Sequence, residues 1–178
     1  MQRISTLPRL PRRAADANKV TAGRVLVVGG SRDMAGAPSL AGLGALRAGA
    51  GLVLVAVPAS IQSLVAGYRP ETLTAGLPES KQGGLGSAAI DTVRTRAEAQ
   101  DAVVLGPGMG RAAATLKVIR SVATQVSGPL VIDADGLFAF NGQLGELALR
   151  DGPTVLTPHE GEAARLLGIT SDACLLYT

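Results

Sequence analysis

Four times along this chain a short run of Val, Leu, Ile and Ala stops abruptly at a loop of glycine or polar residues, and that loop opens a helix-like segment. The runs cover residues 24–28, 102–105, 130–132 and 154–156, and two more lie at 52–57 and, more weakly, at 71–74. Helical segments are expected over 36–48, 86–99, 111–126 and 159–167, the last three with apolar residues at helical spacing. Near-continuous apolar strands alternating with helices predict βαβ units and a parallel sheet buried on both faces. The helix-to-strand returns at 99–100, 127–129 and 151–153 hold only short turn chemistry. The strand-to-helix loops hold Gly29-Gly30-Ser31, Gly106 to Gly110, Asp133-Ala134-Asp135 and Thr157-Pro158-His159. All four therefore fall beyond the carboxyl ends of strands, where open α/β sheets bind ligands. Residues 68–86, with Pro70, Pro78 and the pair Gly83-Gly84, read as a long surface excursion.

At 178 residues the chain suits one domain, and we find neither an internal repeat nor a linker to a second. Its 47% hydrophobic content includes two Tyr, two Phe and no Trp, so the core must be built from small and branched side chains. No apolar run approaches the roughly 18 residues that span a bilayer, and the first 19 residues are Arg- and Pro-rich without a hydrophobic signal core. A cytoplasmic protein without membrane association is expected. The net charge of +3 reflects Arg3, Arg9, Arg12, Arg13, Lys19 and Arg24 near the N-terminus, either a solvated arm or an attraction for a phosphate-bearing ligand. With so few aromatics to stack bases, nucleic acid is not an expected partner. A single cysteine, Cys174, excludes an internal disulfide and a paired-cysteine metal site.

Each strand-end loop admits a structural and a chemical reading. VLVVGGSRDMAG at 25–36 matches neither GxGxxG nor GxxxxGK. In the helix after it, Ala41, Gly42, Gly44, Ala45 and Gly49 imply close backbone packing or ligand approach, since Gly costs a helix interior about 1 kcal/mol relative to Ala. Gly106-Pro107-Gly108-Met109-Gly110 is either a tight turn or a side-chain-free ligand wall, with Arg111 available to an anion. Asp133 and Asp135 flank Ala134 and could order a hydroxyl, a magnesium-bound water or the loops themselves, or serve as a cap and a turn. Around the lone His159, Thr157 is expected to cap the helix, with Pro158 in its first turn and Glu160 complementing the dipole. His159 is then either an ordinary first-turn residue or a donor and stacking surface for a ligand. A hydrolase triad is disfavoured because no GxSxG elbow is present.

Four stretches in this order and spacing, GRVLVVGGSRDMAGAPSLAGLGALRAGAGLVLVAVP (23–58), DAVVLGPGMG (101–110), PLVIDADGL (129–137) and PTVLTPHEGEAARLLG (153–168), closely resemble the NAD(P)H-hydrate dehydratase family. The resemblance runs over about residues 18–168 and implies a ribokinase-like three-layer α/β/α sandwich with a mostly parallel sheet. It implies dehydration of the S epimer of hydrated NADH or NADPH (NADHX, NADPHX) with ADP or ATP as co-substrate and Mg2+. Phosphorylation would turn the ring hydroxyl into a good leaving group, and elimination would restore the dihydronicotinamide. Carried over residue by residue, Ala37, Gly108 and His159 match positions that contact the hydrated dinucleotide. Asp133 and Glu162 match neighbouring motif positions that shape the site or reach magnesium through water. A homo-oligomer, commonly a tetramer, is implied for the full-length form.

The chain departs from the family after residue 168. Relatives continue with a Lys-Gly segment that holds the adenine nucleotide and a GTGD motif whose aspartate is the catalytic base; neither is present in these 178 residues, so no catalytic residue is assigned. Residues 172–178, DACLLYT, do not continue the pattern and read as a non-native tail on a truncated gene. The last strand, 154–156, should then lack a neighbour and expose apolar surface. Two other readings stay open: a small-molecule kinase of the same fold, acting on a thiamin precursor, and a non-catalytic dinucleotide-binding module.

Overall fold

The computed structural model of the chain describes residues 13–175. Arg3, Arg9 and Arg12 of the basic N-terminus, and residues 176–178 of the closing stretch, lie outside the described residues. In chain order the strands are β1 Arg24–Val28, β2 Leu52–Pro58, β3 Leu73–Leu77, β4 Ala102–Leu105, β5 Leu130–Ile132 and β6 Thr154–Leu156. The helices are α1 Gly36–Ala48, α2 Gln62–Tyr68, α3 Ala89–Glu98, α4 Ala113–Gln125, α5 Asp135–Phe138, α6 Gly145–Ala148, α7 Glu160–Leu167 and α8 Ser171–Leu175, and a 3-10 turn at Ala59–Ile61 precedes α2. None is long and apolar enough to cross a membrane.

All six strands are parallel, in the order β3-β2-β1-β4-β5-β6. Strand periodicity sends alternate side chains to opposite faces. Leu26, Val28, Ala56, Val103, Leu105, Leu130 and Ile132 meet α3 and α4 through Val93, Val118, Ile119 and Val122. Val27, Val53, Val55 and Val57 face the other way, against Ile61, Val65, Ala41 and Ala45. The three-layer α/β/α architecture follows, with strands that are apolar throughout because both faces are covered. On α1 a Cβ at Gly42 would lie 2.9 Å from Val55 Cγ2, so at that position the helix's small residues serve close packing on the sheet. Among the described residues β6 pairs with β5 alone, and its Val155 is 54% exposed.

Two expectations need correction. Residues 68–86 are not a surface excursion: β3 occupies 73–77, a few residues beyond the weak run expected at 71–74, with Ala75 and Leu77 buried. The segment then carries the fully buried Leu85, held by the bridge between Glu79 and Leu85 and by Ser80 N–H donating to Gly84 O at 2.8 Å. Gly76 masks the strand, because glycine weakens the pattern; a Cβ there would meet the flexible Gln62 Oε1 at 2.6 Å and Ala59 Cα at 3.2 Å, so the strand runs close under the 3-10 turn. Helix α2 was not foreseen either. It buries only Val65 and leaves Leu64 and Tyr68 half exposed, so it carries no helical stripe for periodicity to reveal.

Candidate ligand site at the sheet switch point

The chain leaves β1 toward β2 and β3 and returns to β4 on the other side of β1, so the strand order reverses between β1 and β4. A crevice for ligands opens at such a point, beyond the carboxyl ends of the strands. At this point of the sheet stand Gly29–Ser31 and Gly106–Gly110, and the two loops interlock. Gly30 N–H donates to Pro107 O at 2.8 Å, and a Cβ on Gly29 would stand 2.5 Å from that same oxygen. Gly108, at φ +67, lies against α1: a Cβ there would meet Ala37 Cβ and Met34 O, each at 2.9 Å. The structure thus brings Gly108 of the loop against Ala37 in the first turn of α1, 71 positions away in sequence. Met109, fully buried, anchors the glycine loop from below.

The β5 turn interlocks with the same loop. A Cβ on Gly106, at φ +127, would fall 2.0 Å from Asp133 O and 2.7 Å from Gly136 Cα. Between them Ala134 takes φ 51 and ψ -120, the one described non-glycine residue with positive φ. Such backbone strain persists only where its surroundings hold it, and it collects at functional sites. The two aspartates then diverge in role. Asp133 Oδ1 accepts from Thr157 Oγ1 at 2.7 Å, tying the β5 loop to the β6 loop. Asp135, buried, accepts from Gly110 N–H and from Arg111 Nε, both at 2.9 Å, and the Arg111 guanidinium lies 4.4 Å from the centre of the Phe138 ring.

At β6 the expected cap is displaced by two residues. The N-cap of α7 is His159, not Thr157, and Pro158 lies before the helix. His159 Nδ1 accepts from Gly161 N–H at 3.1 Å, while Glu162 Oε2 accepts from His159 N–H at 3.0 Å. This is a capping box with histidine in the place usually held by Ser or Thr, residues whose side-chain oxygen makes the cap recognisable in sequence. Because Nδ1 accepts, the ring proton resides on Nε2, 3.4 Å from Glu162 Oε1. Glu162 is thereby consumed by the cap, its side chain only 13% exposed, whereas the His159 ring is 67% exposed.

Asp133 is engaged by the β6 loop and Glu162 by its own helix cap, and among the described residues no group of three or more His, Cys, Asp or Glu side chains could hold a metal ion. Of the expected residues, Ala37 and Gly108 meet directly, and Asp133 joins the turn that carries His159 through Thr157. Asp135, Thr157 and Met109 are the contributors the sequence underplayed. An apolar side chain stranded in a glycine loop was the available signal for Met109.

A wholly parallel six-stranded sheet with helices on both faces defines an α/β domain, and its structural neighbours are ribokinase-like. A ribokinase-like superfamily protein from Enterococcus faecalis superposes with a TM-score of 0.74 at 25% identity, over 90% of this chain and 54% of that one. The chain belongs to the NAD(P)H-hydrate dehydratase family, whose model matches residues 25–174. A bifunctional NAD(P)H-hydrate repair enzyme from Moorella thermoacetica is 44% identical over 162 residues, 91% of this chain and 31% of the relative. An ADP-dependent (S)-NAD(P)H-hydrate dehydratase from Xanthomonas campestris is 41% identical over 89% of this chain and 53% of its own length. An ADP/ATP-dependent NAD(P)H-hydrate dehydratase from Bacillus subtilis, co-crystallised with ATP and Mg2+, superposes with a TM-score of 0.67 at 29% identity, covering 92% of this chain and 53% of that one. The chain therefore spans from 31% to 54% of the length of these relatives. The family match ends inside the 172–178 stretch, taking in its first three residues.

Proposed function

We propose that this chain supplies the hydrated-cofactor wall of an NAD(P)H-hydrate dehydratase, acting on the S epimer of NADHX or NADPHX with ADP or ATP as co-substrate. The observation that carries the reading is the contact of Gly108 with Ala37 at the switch point, inside a chain of this family. The buried Gly108 lets the loop sit directly on α1, so that the adjoining surface presents backbone, which suits a planar ring and its ribose. The exposed His159 ring supplies a second surface from the β6 side. The Lys-Gly adenine-nucleotide segment and the GTGD aspartate that the resemblance assigns as base have no counterpart among these residues. A cytoplasmic location and a homo-oligomeric full-length form belong to the same reading.

Binding tests it. Calorimetric titration of the chain with the S epimer of NADHX should show saturable binding, and His159→Asn should weaken it several-fold. Asn is a good N-cap, so this variant removes the ring while keeping the helix start. No binding by the unaltered chain defeats the reading, and accumulation of a phosphorylated thiamin precursor instead would favour the kinase alternative.

A further inference from the structure

The loop that would face the substrate has one internal backbone bond, Met109 N–H to Gly106 O at 3.1 Å, and depends otherwise on its neighbours. Gly106, Gly108 and Gly110 all have positive φ, at +127, +67 and +79, and three glycines in five residues leave the backbone free to adopt other conformations. Both ends of the loop are nevertheless fastened to one turn of chain. At the first end Gly106 packs backbone to backbone on Gly136, with a Cβ on Gly136 falling 3.0 Å from Gly106 Cα. At the far end the carboxylate of the adjacent residue, Asp135, accepts the Gly110 N–H at 2.9 Å through Oδ2. Its other oxygen takes Arg111 Nε at 2.9 Å, and the same guanidinium stacks on Phe138, three residues further along α5. The pair is asymmetric: the Asp135 side chain is 11% exposed and the Arg111 side chain 52%. The buried partner is the one that grips the loop, and the exposed one braces it.

We propose that Asp135 is a positioning residue of the candidate site, acting through Gly110 to hold Gly108 against Ala37. The idea rests on the reading of the site given above. A carboxylate accepting two donors, one of them charged, is a stronger tether than the neutral backbone bonds elsewhere in the loop. Freed at Gly110, the loop would remain fixed at Gly106 and at the bond from Gly30 N–H to Pro107 O, while Gly108 and Met109 gained room to shift.

The test uses three variants of the whole chain, with the S epimer of NADHX as the probe and thermal melts to confirm folding. Asp135→Ala loses both bonds and should raise the dissociation constant about tenfold, the value of one charge-assisted tether. Asp135→Asn keeps an oxygen for Gly110 but turns an amide against Arg111, and Arg111→Ala keeps the Gly110 bond without the brace; both should stay within about threefold of wild type. In parallel, amide hydrogen exchange without ligand should show Gly110 protected in wild type and in Asp135→Asn but not in Asp135→Ala. Rescue of binding by Asn separates positioning from general stability, which would follow the melting temperature instead. Asp135→Ala binding like wild type overturns the proposal. If wild type itself binds no NADHX, the reading of the site falls and the ligand half of this proposal with it. Gly110 exchanging as fast in wild type as in Asp135→Ala defeats the tether independently of any ligand.

Discussion

Replacing Gly106 by alanine should be the most damaging methyl group that can be added to this fold, and a series of three glycines isolates why. Gly128 has ordinary φ and nothing within 4 Å of a built Cβ. Alanine there should stabilise by about 0.4–1 kcal/mol, by restricting the unfolded chain. Gly142 also faces open space but sits at φ +71, so the same entropic gain is offset by the roughly 1 kcal/mol that a side chain costs in the left-handed region, for a net effect near zero. Gly106 combines a glycine-only φ of +127 with a Cβ site 2.0 Å from Asp133 O, 2.6 Å from Gly136 N and 2.7 Å from Gly136 Cα. Every one of those atoms is backbone, so no rotamer change can relieve the clash. Strain of about 1–3 kcal/mol and overpacking of about 1–3 kcal/mol together give about 2–6 kcal/mol. For a domain of this size that corresponds to a fall in Tm of roughly 4–24 °C. Urea and thermal unfolding followed by circular dichroism would measure all three variants side by side. If Gly106→Ala lies within about 0.5 kcal/mol of Gly142→Ala, the interlock of the β4 and β5 loops is not what the structure shows and the account of the site built on it fails.

Ala134→Gly should raise stability by up to about 1 kcal/mol in the same assay, because φ 51 with ψ -120 strains alanine more than the added chain entropy costs; a loss would show that the Ala134 methyl makes a compensating contact. Arg150 donates to Ala123 O, Val126 O, Gly128 O and Thr154 Oγ1, fastening the end of α4 to the start of β6, so Arg150→Lys should cost about 1.5–3 kcal/mol in urea unfolding, since a point charge cannot serve this fork of acceptors; parity with wild type would refute that. Acid should also loosen the fold. The Ser60 hydroxyl and backbone N–H hold the Glu79 carboxyl below its usual range, and the Arg24 backbone N–H followed by its side chain does the same for Asp101. Folded-state values below the unfolded ones mean stabilisation that is present above about pH 4 and lost as pH falls through the carboxylate range. Denaturation midpoints from pH 6 down to pH 3 should drop, and drop less in Asp101→Asn; an unchanged slope in that variant would sink the assignment.

The strands were legible because they are buried on both faces: runs such as VLVV and AVVL carry no alternation to misread. The parts that escaped are those where one residue answers to a distant neighbour. Gly76 looks like a strand breaker until Gln62 is seen above it, and α2 has one buried side chain and hence no period. The site divides in the same way. Four loops on one sheet edge followed from strand-helix alternation, yet which aspartate does what did not, because Asp133 and Asp135 stand two residues apart and bond to partners at 157 and at 110–111.

His159 shows that a cap and a ligand contact need not compete for one side chain. The cap uses Nδ1 and the backbone N–H, and Glu162 closes the box from below. What that leaves is the ring face, on a side chain still 67% exposed. A free imidazole on a loop would exchange tautomers and rotamers, and a ligand would have to order it at an entropic cost. Here the helix start has already fixed the tautomer and restricted the ring. The same logic runs through Asp133, whose carboxylate holds the Thr157 hydroxyl two residues ahead of that ring. Breaking this link with Thr157→Val, which preserves shape but leaves Asp133 Oδ1 without that donor, should weaken NADHX binding while leaving the α7 cap intact. Unchanged binding in that variant would mean that the β6 loop is placed by its helix alone, and that Asp133 contributes nothing to the site beyond its own turn.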